Sequence, residues 1–265
     1  MAENFSGIIS FTASSADELS AELVRVSKRL SRILDIQFAS YDIRNGRFLR
    51  SAENIGRLVD AREQVQNAIV ESGYPKAIKK YVAKVPELQA KVLDAWRNLG
   101  LQPAFRTVDI EAIKIIRGAV LDTFANISDQ GADIIRSNLI QAVTSGRSYR
   151  EFSDELTDFL RGSGDLRDQA GAGMFRHANT LAQTAMDQLS ATMDAQLAEV
   201  AGIEKFRYVG GIIKTTREFC RHLNGRILTR DQIDALDNGQ TGTGSVLVSR
   251  GGWNCRHRWL PVVET

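Results

Sequence analysis

Two identical tripeptides hold both cysteines and two of the three histidines of this 265-residue chain. They are Cys220-Arg221-His222 and Cys255-Arg256-His257. Two thiolates and two imidazoles match the ligand set of a structural zinc site. Residues i and i+2 point to the same side only in extended backbone, so each tripeptide would have to be extended to bind one ion with both side chains. The candidate metal ligands are Cys220, His222, Cys255 and His257.

The same side chains allow two other interpretations. One is that they are buried core residues with no cofactor bound, since unpaired cysteines are among the most buried residue types. Alternatively, His222 or His257 could act with Arg217 or Arg256 as the acid–base group and phosphate clamp of a metal-free nuclease. The sequence contains no Walker-type phosphate loop, no His-Glu-x-x-His helix and no dinucleotide-binding fingerprint. We therefore expect no enzymatic activity and assign no catalytic residue.

The composition is typical of a globular protein. Hydrophobic residues make up 43% of the chain and charged residues 25%. No apolar stretch approaches the roughly 20 residues of a membrane span, so we expect none. The first residues carry no basic region of a secretory signal, and the thiols are therefore expected in a reducing compartment, where disulfides are rare. With only four prolines in the chain, long helices should dominate.

Apolar residues recur with helical spacing along most of the first 200 residues. Ser15 with Glu18 and Ser148 with Glu151 are spaced as capping boxes. Asn45-Gly46 predicts a hairpin turn within residues 41–49. The apolar seam of the first helix suits packing within its own domain better than a coiled coil, because only about two heptads are present. The predicted helices cover residues 13–38, 52–72, 76–99 with a kink or restart at Pro86, 107–144, 148 to the glycines at 162 and 164, and 168–200.

The character of the sequence changes at Gly202. Phe206-Arg207-Tyr208-Val209 alternates in polarity and predicts a strand, and residues 246–248 predict another. Residues 231–236 predict one or two helical turns entered from Thr229. The predicted fold is mainly α: an elongated helical body with a small, loop-rich C-terminal α+β domain. The predicted divisions are an N-terminal helical region at 1–104, a helical body at 105–202 and the C-terminal domain at 203–265.

The C-terminal domain is basic. Residues 205–265 contain ten Lys and Arg against five Asp and Glu, whereas the whole chain has a net charge of only +2. Such a module favours contact with nucleic acid or an acidic partner. The alternative is that the arginines serve internal ion pairs and helix ends. The candidate DNA contacts are Arg207, Lys214, Arg217, Arg221, Arg226, Arg256 and Arg258.

The order of motifs in residues 107–265 is distinctive. The helix that starts at Ser148 is followed by an alanine-rich helix, the 206–209 strand, the segment 216–226 (TREFCRHLNGR) and the segment 251–257 (GGWNCRH). This order resembles the tailed-phage head morphogenesis family, the Mu F-like minor head proteins. Leu223 and Gly252 stand where many members carry Cys and His. The resemblance assigns as structural motif residues Gly225, Gly251, Gly252, Asn254 and Pro261.

The resemblance implies a structural, non-enzymatic role in the phage head. Members are minor virion components that act at the portal vertex during procapsid assembly, and some are ejected with the genome. The expected partners are the portal protein, the major capsid or scaffold proteins, and packaged double-stranded DNA. The expected location is the virion, and the host cytoplasm during assembly, with residues 1–104 making protein contacts. The alternatives are a head-associated nuclease or toxin-like domain that uses His222 and His257, and a zinc-stabilised nucleic-acid-binding module.

Overall fold

The computed structural model describes residues 5–161, 173–240 and 245–263. Helices dominate the chain up to residue 200, and a small antiparallel sheet with short helices follows. This confirms the predicted mainly α fold with a small C-terminal α+β part. Within the described ranges, no helix combines the length and the apolar character needed to cross a membrane.

The elements follow one another in a simple order. In chain order they are α1 (Ser6–Phe38), β1 (Ile43–Arg44), β2 (Arg47–Phe48), α2 (Ala52–Arg57), α3 (Ala61–Glu71), α4 (Tyr74–Val82), α5 (Val85–Arg97), α6 (Thr107–Ser145), α7 (Tyr149–Arg161), α8 (Met174–Val200), β3 (Lys205–Val209), α9 (Glu218–Leu223), β4 (Ile227–Thr229), α10 (Arg230–Asp234), α11 (Val246–Ser249) and β5 (Arg258–Pro261).

Several local signals in the sequence act as predicted. The hairpin β1–β2 turns at Asn45 and Gly46, whose φ angles of 54° and 72° are those of the type I′ turn that closes short hairpins. Pro86 lies in the first turn of α5, where its missing N–H costs no helical hydrogen bond. Thr229 caps α10 in a complete capping box with Gln232. The helix α6 continues for 39 residues through both of its glycines.

Three predictions of local structure are wrong. Helix α1 begins at Ser6 rather than near residue 13, so Ser15 is a buried residue inside the helix and not its cap. The predicted helix 52–72 is interrupted after Arg57, and α3 begins at Ala61. The buried Asn54 of α2 accepts a hydrogen bond from the backbone N–H of Asp42 and donates one to the carbonyl of Leu49. Residues 246–248 form a helical turn and not a strand, because the Ser245 side chain caps it.

Two other helices do not start at their predicted residues in the part of the chain that the structure describes. The helix predicted to start at residue 76 starts at Tyr74, with Pro75 in the first turn of α4. The helix predicted to start at residue 168 is described from Met174. Gly162, Gly164 and residues 168–172 lie outside the described residues.

The chain folds into two compact units, each built from separate stretches of sequence. The first unit comprises Met1–Asp17, Val82–Val120 and Thr180–Thr265, and the second comprises Glu18–Tyr81 and Leu121–Asn179. In the second unit, Phe38, Phe48 and Phe152 form an aromatic core with edge-to-face rings. The predicted division of the chain at residues 104 and 202 stays a prediction.

The first unit carries the three-stranded sheet, in the order β4-β3-β5, with both pairs antiparallel. Because side chains alternate along a strand, Phe206 and Tyr208 of β3 are buried and Arg207 between them is exposed. Tyr208 lies opposite Trp259 of β5. The central strand therefore presents one aromatic, buried face to the residues that precede β5.

Candidate functional site

The two cysteines meet inside the C-terminal part of the first unit. The Sγ atoms of Cys220 and Cys255 lie 3.8 Å apart, and both are free thiols. Cys220 lies on α9, and Cys255 lies in the short segment that leads into β5. Both side chains are buried, at 2% and 8% exposure.

Two aromatic side chains complete the surroundings of the thiols. The Tyr208 hydroxyl lies 3.4 Å from the sulfur of Cys220 and 3.5 Å from that of Cys255. His257 is buried, and its Nδ1 lies 3.9 Å from the Cys255 sulfur. The His257 ring stacks on the Tyr208 ring, with centroids 5.3 Å apart. The ligand atoms of Cys220, Cys255 and His257 all lie within 4.8 Å of one another, and we call these three residues the thiol–imidazole cluster.

The fourth predicted ligand, His222, lies elsewhere. The first tripeptide is part of helix α9, and two residues along a helix point to nearly opposite sides. Cys220 therefore points inward while His222 is exposed to solvent. The second tripeptide is not helical, and the Cys255 sulfur and Nδ1 of His257 lie 3.9 Å apart, so these two side chains face the same side. The two tripeptides are identical in sequence but not in conformation.

Two glycines make room for the cluster. A Cβ at Gly210 would lie 2.3 Å from Cδ2 of His257, and a Cβ at Gly251 would lie 2.3 Å from the Cys220 sulfur. Neither distance is physically accessible to a real side chain, so both positions require glycine for close approach rather than for a turn. The Gly251 requirement also gives a structural reason for one residue of the family motif.

The other motif residues shape the backbone beside the cluster. Gly225 has a φ of 86° and donates its N–H to the Tyr208 carbonyl over 2.7 Å. Gly252 and Asn254 have φ angles of 84° and 58°, in the left-handed region that Gly and Asn tolerate best. Pro261 ends β5 opposite Phe206. Gly252, Asn254 and Pro261 thus form the turn and the strand on either side of Cys255 and His257, and Gly225 joins the turn after α9 to β3.

The two thiols are joined by a hydrogen bond that separates their acidities. The contact between the two sulfurs, in which either can donate, lowers the pKa of Cys255 and raises the pKa of Cys220. Burial raises the pKa of the Tyr208 phenol, so its hydroxyl keeps its proton and can donate it to either sulfur. The Nε2 atom of His257 is buried and has no hydrogen-bond partner within the described part of the chain.

Buried arginines attach the same segment to helix α8. Arg258 is 1% exposed and donates to the Asp194 carboxylate over 3.0 Å and to the Ser190 hydroxyl. Arg250 is also buried and donates to the Asp187 carbonyl over 2.8 Å. Burial lowers the pKa of Arg250. Buried charges need such partners, and the partners are more than 60 residues distant in the chain, so sequence reasoning could not find them.

Arg258 is therefore removed from the candidate DNA contacts, because its guanidinium is inaccessible and already paired. The other six candidates are exposed, and within the described ranges none of them has a carboxylate within ion-pair distance. Some of them bond backbone carbonyls: Arg217 reaches Trp253, and Arg221 reaches Thr216. The six exposed candidates, which we call the basic set, are Arg207, Lys214, Arg217, Arg221, Arg226 and Arg256.

A comparison with protein families identifies the segment that carries these features. Residues 133–259 match the family described as Phage Mu protein F like protein, which confirms the resemblance seen in the sequence. The match includes both tripeptides and ends within β5. The family match indicates a phage head-related protein. The searches of curated proteins and of solved structures found no match.

Proposed function

We propose, from the match of residues 133–259 to the Phage Mu protein F like family, that this protein is a non-enzymatic minor component of a phage head. In this proposal it acts in procapsid assembly at or near the portal vertex and remains in the mature virion. Its partners are the portal protein and the capsid or scaffold proteins. The family match is the observation that carries the proposal, and it extends over nearly all of the C-terminal sheet.

The basic set supports a contact with packaged DNA. Six exposed cationic side chains without carboxylate partners in the described ranges are accessible to phosphate groups. Arginine and lysine bind phosphates with no requirement for base sequence, and the released counterions supply the affinity. This property suits a protein that lies against, or leaves with, a genome of any sequence.

The nuclease alternative, in which His222 or His257 is the acid–base group, gains no shared site for the two imidazoles from the geometry. His222 is exposed on α9, whereas His257 is buried and stacked on Tyr208. A general acid or base must reach the proton it transfers, and the two imidazoles do not face a common accessible site. In the first unit, His257 is instead a buried side chain packed against Tyr208.

The proposal is tested in the phage itself. Purified virions should contain the chain, and a deletion of its gene should give defective heads or non-infectious particles that are rescued by supplying the protein in trans. Localisation by cryo-electron microscopy of the particle should place it at the portal vertex. Normal, fully infectious particles without the protein would refute the assignment.

A further inference from the structure

We propose that Cys220, Cys255 and His257 bind one structural zinc ion, a role that does not depend on the proposed place in the phage head. The three side chains come from α9 and from the segment that leads into β5, and all three are buried. Thiolate sulfur and imidazole nitrogen are the ligands that zinc prefers in proteins. The exposed His222 takes no part.

The distance between the sulfurs fits the ion. Two thiolates bound to one tetrahedral zinc, each at about 2.3 Å, lie about 3.8 Å apart. The Cys220 and Cys255 sulfurs are separated by 3.8 Å. The corresponding sulfur-to-nitrogen edge is about 3.6 Å, and Nδ1 of His257 lies 3.9 Å from the Cys255 sulfur. A movement of a few tenths of an ångström would complete this edge.

The imidazole of His257 supplies a second, independent indication. His257 is 6% exposed, and its Nδ1 lies 3.9 Å from the Cys255 sulfur, which is long for a hydrogen bond. A buried imidazole normally has its polar atoms satisfied. A metal on Nδ1 would replace this long contact with a far stronger interaction.

The charges balance when an ion binds at this place. The cysteines bind zinc as thiolates, so binding releases the proton held between the two sulfurs and the cation takes its place. A divalent cation neutralises both thiolates, and the Tyr208 hydroxyl, within 3.5 Å of each sulfur, can donate a hydrogen bond to the bound thiolates. Tyr208 is a positioning residue in this arrangement, and the fourth position of the tetrahedron is left for water.

The ion would connect elements that are distant in sequence. Cys220 and Cys255 are 35 residues apart, and the described part of the intervening segment contains two very short helices and one short strand. Small loop-rich units often need a metal or a disulfide to hold their fold, and zinc binding contributes directly to folding. The glycines at 210 and 251 keep the space around the ligands clear.

The test is a titration of the reduced, metal-free full chain with Co²⁺, followed by displacement with Zn²⁺. We expect the visible absorption of tetrahedral cobalt and a near-ultraviolet thiolate-to-cobalt band, both saturating at one equivalent. His257→Ala should weaken binding by at least about tenfold. The matched control is His222→Ala, which changes the other Cys-Arg-His tripeptide and should bind like the wild type.

A Tyr208 variant tests the positioning residue, and any one of three outcomes would overturn the proposal. Tyr208→Phe should still bind one equivalent, with an affinity lower by about 10-fold or more. The proposal is overturned if wild-type protein shows no tetrahedral cobalt spectrum. It is also overturned if His257→Ala retains the wild-type spectrum and affinity. An intact mass lower by two hydrogens, from a Cys220–Cys255 disulfide that persists when zinc is supplied during expression, would equally refute it.

Discussion

At the scale of single residues, the neighbouring glycines at 210 and 211 provide a matched pair. A Cβ at Gly210 would collide with the His257 ring, whereas a Cβ at Gly211 would meet nothing within 4 Å. We expect Gly210→Ala to lower the free energy of unfolding by about 1–3 kcal/mol, because the ring must move in a packed interior. Gly211→Ala should change it by less than about 0.5 kcal/mol. Urea unfolding of both variants checks this, and equal stability of the two would contradict the close approach.

A buried ion pair gives a second prediction at this scale. Asp194 accepts hydrogen bonds from Arg258 and from the Trp96 indole, and all three side chains are buried. We expect Asp194→Ala to destabilise the protein by about 3–5 kcal/mol, because it leaves the Arg258 charge uncompensated in the interior.

The matched control for this pair is an exposed carboxylate. Asp94 pairs with Arg97 on the surface of α5, with its side chain 66% exposed. Asp94→Ala should cost less than about 1 kcal/mol, as is usual for surface ion pairs. Denaturant unfolding of both variants measures the difference, and similar losses would show that the Asp194 pair is not the anchor that its burial indicates.

At the scale of elements, the start of α6 carries a pH-dependent contact. Asp109 is buried and accepts hydrogen bonds from the backbone N–H and the guanidinium of Arg106, over 2.8 to 3.0 Å. The hydrogen bond from Arg106 is the main cause of a lowered pKa at Asp109. The carboxylate form therefore stabilises the fold above the ordinary aspartate pKa of about 4, and this contribution is lost as the pH falls through the lower pKa of the folded state.

Asp109→Asn should accordingly be less stable than the wild type at pH 7, by about 1 kcal/mol. The difference should shrink as the pH falls below the ordinary aspartate pKa and disappear once the pH is below the lowered pKa of the folded state. Asp122→Asn, at an exposed position further along α6, should match the wild type at every pH measured. Thermal melts across this pH range provide the measurement, and a difference independent of pH would exclude the charge of Asp109 as its source.

The sequence predicted those elements whose ends are determined locally. Asn45-Gly46, Pro86 and Thr229 each act through their own backbone or cap, and each is found where predicted. Ser15 failed as a cap because the apolar residues before it extend the helix, a packing effect that no local signal shows. The apolar run at 246–248 was too short for its periodicity to separate strand from helix.

The candidate site was predictable in composition but not in geometry. Residue types alone selected Cys220, Cys255 and His257, and the family resemblance located their segments. These signals could not show that His222 points away from the other three candidate ligands, because that depends on α9 being a helix. The buried pair of Arg258 and Asp194 has no local sequence pattern either. The number of basic residues in the C-terminal domain therefore overestimated the number of exposed positive charges.

At the scale of the whole molecule, the basic set predicts salt-dependent DNA binding. The full chain should bind double-stranded DNA without sequence preference, and affinity should fall steeply with salt. Combined Arg207→Ala and Arg226→Ala should reduce the slope of log affinity against log salt by about 1 for each lost phosphate contact. Arg150→Ala, at a residue whose side chain is 91% exposed on α7, is the control. Fluorescence anisotropy measures both, and an unchanged slope would remove these residues from the interface.

The hydrogen bond from Trp96 to Asp194 has a consequence for chimaeras of this chain. Trp96 lies outside the segment that matches the family, whereas Asp194 and its partner Arg258 lie inside it. A chimaera that replaced residues 133–259 alone would separate the indole from the carboxylate it binds. The folded unit therefore extends beyond the matched segment, and a stable chimaera should carry the α5 segment together with the C-terminal part.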